Sequence, residues 1–238
     1  MLKRKIIVVL LAFFVVSNGI SQDDKPLNLP NFAKSRYHWG FWLAYTQSSL
    51  VPTRKENYTF NDSLISTTPI SLGSFAVGPM GSVSINENVK LRMAILLSFQ
   101  DRNMEYLFWQ NDTTELYVKK IRSVYTEFPL QFKFVTNRVN NIAFYGFVGG
   151  KYGVDWSSNI NVKQQPGSFK NVLKIKRSNM AYSVGGGLDF FMPYFKFGID
   201  LRLDTGFNNV LIQDETYFSS PLEKLRTRMW QLSFTFEG

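Results

Sequence analysis

Val89-Lys90-Leu91-Arg92-Met93-Ala94-Ile95-Leu96-Leu97-Ser98-Phe99 is the stretch that decides the fold. Its odd positions are all apolar, while its even positions carry Lys90, Arg92, Ala94, Leu96 and Ser98. A helix would mix the two sets around its circumference, whereas a strand puts them on opposite faces. The run also fills the roughly 9 to 11 residues that a tilted strand needs to cross a bilayer. One face can meet lipid while the other carries charge into an interior.

The same alternation recurs from Tyr37 to the end of the chain, in stretches near 37–46, 72–86, 89–101, 121–136, 141–155, 178–191, 194–204 and 228–237. The connections fall into two kinds. Asn86-Glu87-Asn88, the segment Asn137 to Asn140 and Met192-Pro193 are tight, and residues 47–70, 102–120, 156–177 and 205–227 are long and polar. Strict alternation of short and long connections predicts an all-β fold, an eight-stranded antiparallel transmembrane β-barrel with tight periplasmic turns and long extracellular loops. A soluble β-sandwich or lipocalin-like barrel would share the apolar alternation with its apolar face inward. Long loops confined to one end favour the membrane.

The lipid face on this reading holds Tyr37, Trp39, Phe41, Leu43 and Tyr45 on the first strand and Val124, Phe128, Leu130, Phe132 and Phe134 on the fourth. Tyr182, Val184, Leu188 and Phe190 follow on the sixth, Phe195, Phe197, Ile199, Leu201 and Leu203 on the seventh, and Trp230, Leu232, Phe234 and Phe236 on the last. Aromatics gather toward the ends of these runs, where an interfacial girdle belongs. The fifth strand has apolar residues on both parities, which leaves its facing open. Its Gly146, Gly149, Gly150 and Gly153, with Gly185 to Gly187 on the sixth, mark curvature or close backbone approach in a narrow barrel.

Lys3, Arg4 and Lys5, an apolar core from Ile6 to Val16 and a small-residue end at Gly19-Ile20-Ser21 read as a signal peptide over residues 1–21. The core is too short for a spanning helix. Residues 22–36 then form a short periplasmic segment, and 37–238 the barrel. Cysteine is absent, which excludes a disulfide framework, thiolate metal sites and a lipidated N-terminal cysteine. The net charge of +9 includes the three basic residues of the signal. The surplus suits an anionic surface, and no basic run with interleaved aromatics points to nucleic acid.

An eight-stranded barrel is filled by its own side chains, so a wide solute pore is not expected. The inward parity is charged, with Lys90, Arg92, Glu127, Lys133, Asp189, Lys196, Asp200 and Arg202. Buried charges need partners. A register set by the Met192-Pro193 turn places Asp189 opposite Lys196, and Glu127 needs Arg92, Arg202 or another inward base. Glu127 or Asp200 could instead serve a lipid hydrolase, but such chemistry wants a nucleophile activated by a base. The single histidine, His38, stands at the barrel rim and reads as a packing residue. No catalytic, cofactor or metal residue is assigned.

Among the loops, Met104, Tyr106, Leu107, Phe108 and Trp109 are too many large side chains to leave in water. Either the hairpin extends past the bilayer and packs on its neighbours, or Met104, Tyr106, Phe108 and Trp109 form a contact for a partner protein. Lys163, Lys170, Lys174, Lys176 and Arg177 make the third loop basic, so it could bind lipopolysaccharide phosphates. Asn57-Tyr58-Thr59 in the first loop is formally a glycosylation sequon, which a bacterial barrel leaves without meaning.

The stretch N-L-P-N-F-x-K-S-R-Y-H-W-G-F-W-L-A-Y, ending at Tyr45, resembles the start of the PorT family of Bacteroidetes, with its Leu-Pro-Asn leader and His-x-Gly-Phe first strand. Gly78-Pro79-Met80-Gly81, Glu127-Phe128-Pro129-Leu130 and the glycine-rich sixth strand extend the resemblance across Asn28 to Gly238. It implies a non-enzymatic outer-membrane component of the type IX secretion system, with gliding motility in some members and protein partners in that apparatus. An adhesion or surface-structure barrel is the alternative, and an outer-membrane lipid hydrolase comes third. The chain departs from many outer-membrane barrels at its end, where the last aromatic, Phe236, is followed by Glu237-Gly238.

Overall fold

A computed structural model describes residues 27–55, 64–110, 112–157, 171–214 and 216–238. The signal peptide, residues 22–26, the sequon, Lys163 and Lys170 lie outside the described residues. The strands are β1 (Tyr37–Arg54), β2 (Leu64–Ser84), β3 (Val89–Ala94), β4 (Leu96–Gln110), β5 (Thr113–Val135), β6 (Ile142–Asp155), β7 (Ser178–Phe191), β8 (Lys196–Gly206) and β9 (Leu222–Glu237). β3 and β4 are one stave interrupted at Ile95, so the ring has eight members, all antiparallel. It closes where β1 pairs with both β2 and β9.

Alternation is borne out on every strand where a facing was assigned. Trp39, Phe41, Leu43 and Tyr45 point out while His38, Trp42, Ala44 and Thr46 are buried, and on β5 Phe128, Leu130, Phe132 and Phe134 point out. β6 is resolved as well: Phe144, Val148 and Tyr152 face outward, and Ala143, Tyr145, Phe147 and Lys151 face inward.

The tight connections hold, at 85–88, 136–141 and 192–195. At the first, the Asn86 side-chain oxygen accepts from the backbone N–H groups of Asn88 and Val89 at 3.0 and 2.6 Å. At the second, Asn140 takes a positive φ of 53°, which asparagine tolerates better than most residues.

The long connections differ from expectation. Residues 47–54 and 64–71 continue β1 and β2, and 102–120 is almost wholly strand, a hairpin whose β4 and β5 arms pair from Leu96↔Glu127 to Gln110↔Thr113. Outside the bilayer no lipid demands an apolar exterior, so the ladder continues while the apolar signature fades.

The polarity of the interior reverses along the same staves. On β4 the buried positions run Ser98, Gln100 and Arg102, then Met104, Tyr106 and Phe108. With Leu50, Ile121, Leu173, Ile175, Val210, Leu211, Phe218, Leu222 and Leu225 they form an apolar core at the extracellular end. Loop segments lie across it: Ile175 bridges Leu211, Lys176 N–H donates to the Val210 carbonyl at 2.7 Å, and Tyr106 Oη donates to the Phe218 carbonyl at 3.2 Å. The projecting part is built like a water-soluble domain, apolar within.

The periplasmic mouth is stoppered by the leader. A short 3-10 turn, Phe32–Lys34, places Phe32 flat on His38 with ring centroids 3.8 Å apart, and edge-on to Phe191. Asn28 N–H donates to Asn141 Oδ1 at 2.9 Å, Asn28 Nδ2 donates to the Phe191 carbonyl at 2.9 Å, and an Arg138 guanidinium nitrogen donates to the Asn28 carbonyl at 2.7 Å.

Candidate functional site

Between the apolar cap and the Phe32 stopper lies a buried charge network drawn from six of the eight staves, all but β1 and β2. In its periplasmic half, Lys133 Nζ sits 2.7 Å from Asp189 Oδ2 and Lys196 Nζ 2.7 Å from Glu237 Oε2. Arg92 reaches Asp200 at 3.1 Å and Glu237 at 3.8 Å, and Tyr145 Oη donates to the same Asp200 oxygen at 2.9 Å. Farther up, Lys151 Nζ joins Glu127 at 2.9 Å to Asp204 at 2.7 Å, and Gln100 Nε2 donates to Glu127 at 2.7 Å. The guanidinium of Arg202 lies over the Trp42 ring at 4.7 Å, with its Nε 3.6 Å from Asp204.

The eight charged residues read from the sequence are all buried inside. Their pairing is partly different. Asp189 lies across from Gly198, because β7 and β8 pair from Phe191↔Lys196; Lys196 therefore reaches Asp189 only diagonally, at 3.7 Å, and Asp189 takes Lys133 as its nearer partner. Of the bases open to Glu127, it is met by another inward one, Lys151, as expected, and not by Arg92 or Arg202. Lys90 stands near the stopper, its Nζ 5.4 Å from the Phe32 ring centre, and Lys196 approaches the same ring at 4.8 Å.

Three members of the network and a separate buried cation, Arg102, are not among the eight inward charges read from the sequence. Lys151 was hidden by the ambiguous facing of its strand. Asp204 and Glu237 stand on the inward parity of strands already assigned, two residues from Arg202 and one from lipid-facing Phe236, so parity alone could have found both. Arg102, buried beside Tyr125 with its guanidinium 5.7 Å from that ring, fell in a segment taken for a loop.

The aromatic second loop is corrected for three of its four residues. Met104, Tyr106 and Phe108 are at most 2 % exposed and belong to the apolar core, so they offer a partner no surface. Trp109 is 51 % exposed. His38 is buried, with its ring taken up by the Phe32 stack. Arg177 stacks over exposed Trp156 at 5.1 Å.

A closed antiparallel ring, apolar outside and charged within, defines an integral outer-membrane β-barrel of the narrow, side-chain-filled kind. The chain belongs to the outer membrane protein beta-barrel domain family, whose model matches residues 20–211. Among solved structures it is similar to Ail, the attachment invasion locus protein of Yersinia pestis, at 13 % identity over 86 % of this chain and all of that one, with a TM-score of 0.38. It is also similar to the outer membrane protein OprG of Pseudomonas aeruginosa, at 9 % identity over 85 % of this chain and 95 % of that one, with a TM-score of 0.44. Neisserial surface protein A is a third, at 8 % identity over 83 % and 95 % of the two chains, with a TM-score of 0.38. No curated protein matches the sequence significantly.

Proposed function

We propose that this barrel is a non-enzymatic component of the type IX secretion machinery, assisting its assembly or operation in the outer membrane of a Gram-negative bacterium after export through a cleaved signal peptide. The reading rests on the PorT-like stretch from Asn28 to Tyr45. One observation supports a working role for that stretch: its first half is tied into the periplasmic mouth by Asn28 and Phe32. A lumen filled by Trp42, Arg92, Arg202 and Lys133 leaves no obvious route for cargo, so the barrel acts through its surfaces, toward protein partners in the apparatus and toward outer-membrane lipid. The basic residues Lys174, Lys176 and Arg177 are suited to lipopolysaccharide phosphates.

An adhesion or surface-structure role is the second reading. It is favoured by Trp109, Leu116 and Val118, which are exposed on the β4–β5 hairpin beyond a polar band of Asp101, Asn103, Lys120 and Arg122. A deletion strain separates the two. Loss of secreted proteins from the medium, with their accumulation in the periplasm and loss of spreading, supports the secretion role. Normal secretion with reduced attachment overturns it in favour of adhesion.

A further inference from the structure

The outer wall carries a groove along β2. In the bilayer-facing row Trp39, Gly81, Met93 and Leu130, each residue is the register partner of the next, across β1, β2, β3 and β5. The neighbouring row runs through Phe41 and Pro79, register partners, to Ile95, whose N–H donates to the Pro79 carbonyl at 3.1 Å. At the centre of both rows β2 offers only a glycine and a proline, while large side chains stand on either flank. The result is a cleft of about 390 Å³, walled by Trp39, Met93, Ile95, Phe128 and Leu130, with no charged residue in its lining.

Two prolines shape it. Pro79 has no N–H to return to the Ile95 carbonyl. On the other side, the ladder to β5 carries no pair between Met93↔Leu130 and Leu96↔Glu127, the interval that holds Pro129. Proline inside a sheet removes a ladder bond and is otherwise confined to edges and bulges. The wall is thus thinned at Ile95 on both sides. Trp39 leans over the glycine, so that a Cβ at Gly81 would lie 3.1 Å from its ring.

We infer that this groove is a binding site for one acyl chain of a phospholipid in the periplasmic leaflet. The volume is within the roughly 300 to 1,000 Å³ of small-ligand pockets. Its uncharged lining excludes a headgroup, and its mouth is continuous with the apolar belt, where hydrocarbon is the surrounding medium. Trp39, 73 % exposed and near the periplasmic start of β1, fixes the orientation: an interfacial indole stands at headgroup depth, and the chain runs from it toward Phe128. A chain seated between facing walls makes more contacts than one lying on a convex surface, and it stays longer.

The test uses the purified barrel in phosphatidylcholine vesicles doped with a phospholipid that carries a diazirine on its acyl chain. After illumination, adducts are mapped by mass spectrometry. Met93, Ile95, Phe128 and Leu130 should be labelled several-fold more than Val184 and Leu203, a register pair of β7 and β8 on the far wall at comparable distance from the periplasmic turns. Gly81→Leu, which fills the floor, and Trp39→Ala, which removes a wall, should each bring groove labelling down to the level of the far wall without changing it elsewhere. Uniform labelling around the barrel, or groove labelling that survives both variants, overturns the inference. So does protection of the groove together with a dimer mass in native mass spectrometry of the same preparation, which would assign the face to a second barrel.

Discussion

Lys151 shows most directly what a buried charge does in this lumen. Among the described residues its ammonium is the one ion-pair partner of Glu127 within 4.0 Å and the nearest cation to Asp204, and all three are almost wholly buried. Glu127→Ala therefore leaves Lys151 with Asp204 still in reach, whereas Lys151→Met leaves Glu127 without its cation and Asp204 with Arg202 alone, at 3.6 Å. Breaking a buried pair by removing one partner costs about 3 to 5 kcal/mol, and Lys151→Met should show the full cost. Glu127→Ala should lose less, and Glu127→Gln, which keeps the hydrogen bond to Gln100 available, least. Denaturant unfolding of the refolded barrel gives the order, and a larger loss for Glu127→Gln than for Lys151→Met would show that the pairing is wrong. On the proposed role, secretion should fall in proportion to folded barrel in all three; a well-folded, inactive Glu127→Gln protein would point to a catalytic carboxylate instead.

The stave of β3 and β4 carries two environments on one continuous strand. Up to about Phe99 its outward face is apolar and its inward face carries Lys90, Arg92 and Ser98 around Ala94 and Leu96; from about Arg102 on the inward face is Met104, Tyr106 and Phe108, and the outward face turns polar with Asp101, Asn103 and Glu105. The side-chain period never changes, only the solvent does. Ile95→Arg, in the bilayer, should cost about 2 to 4 kcal/mol. Phe108→Ala, in the water-exposed part, should cost about 3 to 5 kcal/mol by opening a cavity in the cap. Trp109→Ala, one residue on and facing out, should leave unfolding nearly unchanged. If Phe108→Ala were silent and Trp109→Ala costly, the facing of the hairpin would be off by one residue. The reversal also explains why the segment reads as a loop: once the outward residues turn polar, alternation no longer announces a strand, and only pairing with β2 and β5 keeps it one.

At the scale of the molecule, closure gives the barrel its behaviour. Each stave is paired on both sides, the short break at Ile95 apart, so nearly all backbone groups are satisfied internally, and protein extracted in detergent should migrate faster on gels unheated than boiled. Equal mobility would argue against a closed ring. With the cap above, the charge network between and Phe32 below, planar bilayers should show no large steady conductance, and porin-like currents would contradict a filled lumen. The facing of six staves, the tight turns and the eight inward charges were all set by local sequence, because in a bilayer each side chain's polarity must match its side of the wall. Four other features depended on the ring. Which base meets Glu127, why Lys196 reaches Asp189 only diagonally, how far the staves project, and that Asn28 and Phe32 stopper the mouth follow from the register of eight strands closing on one another, and register is a property of pairs of distant segments that no single segment encodes.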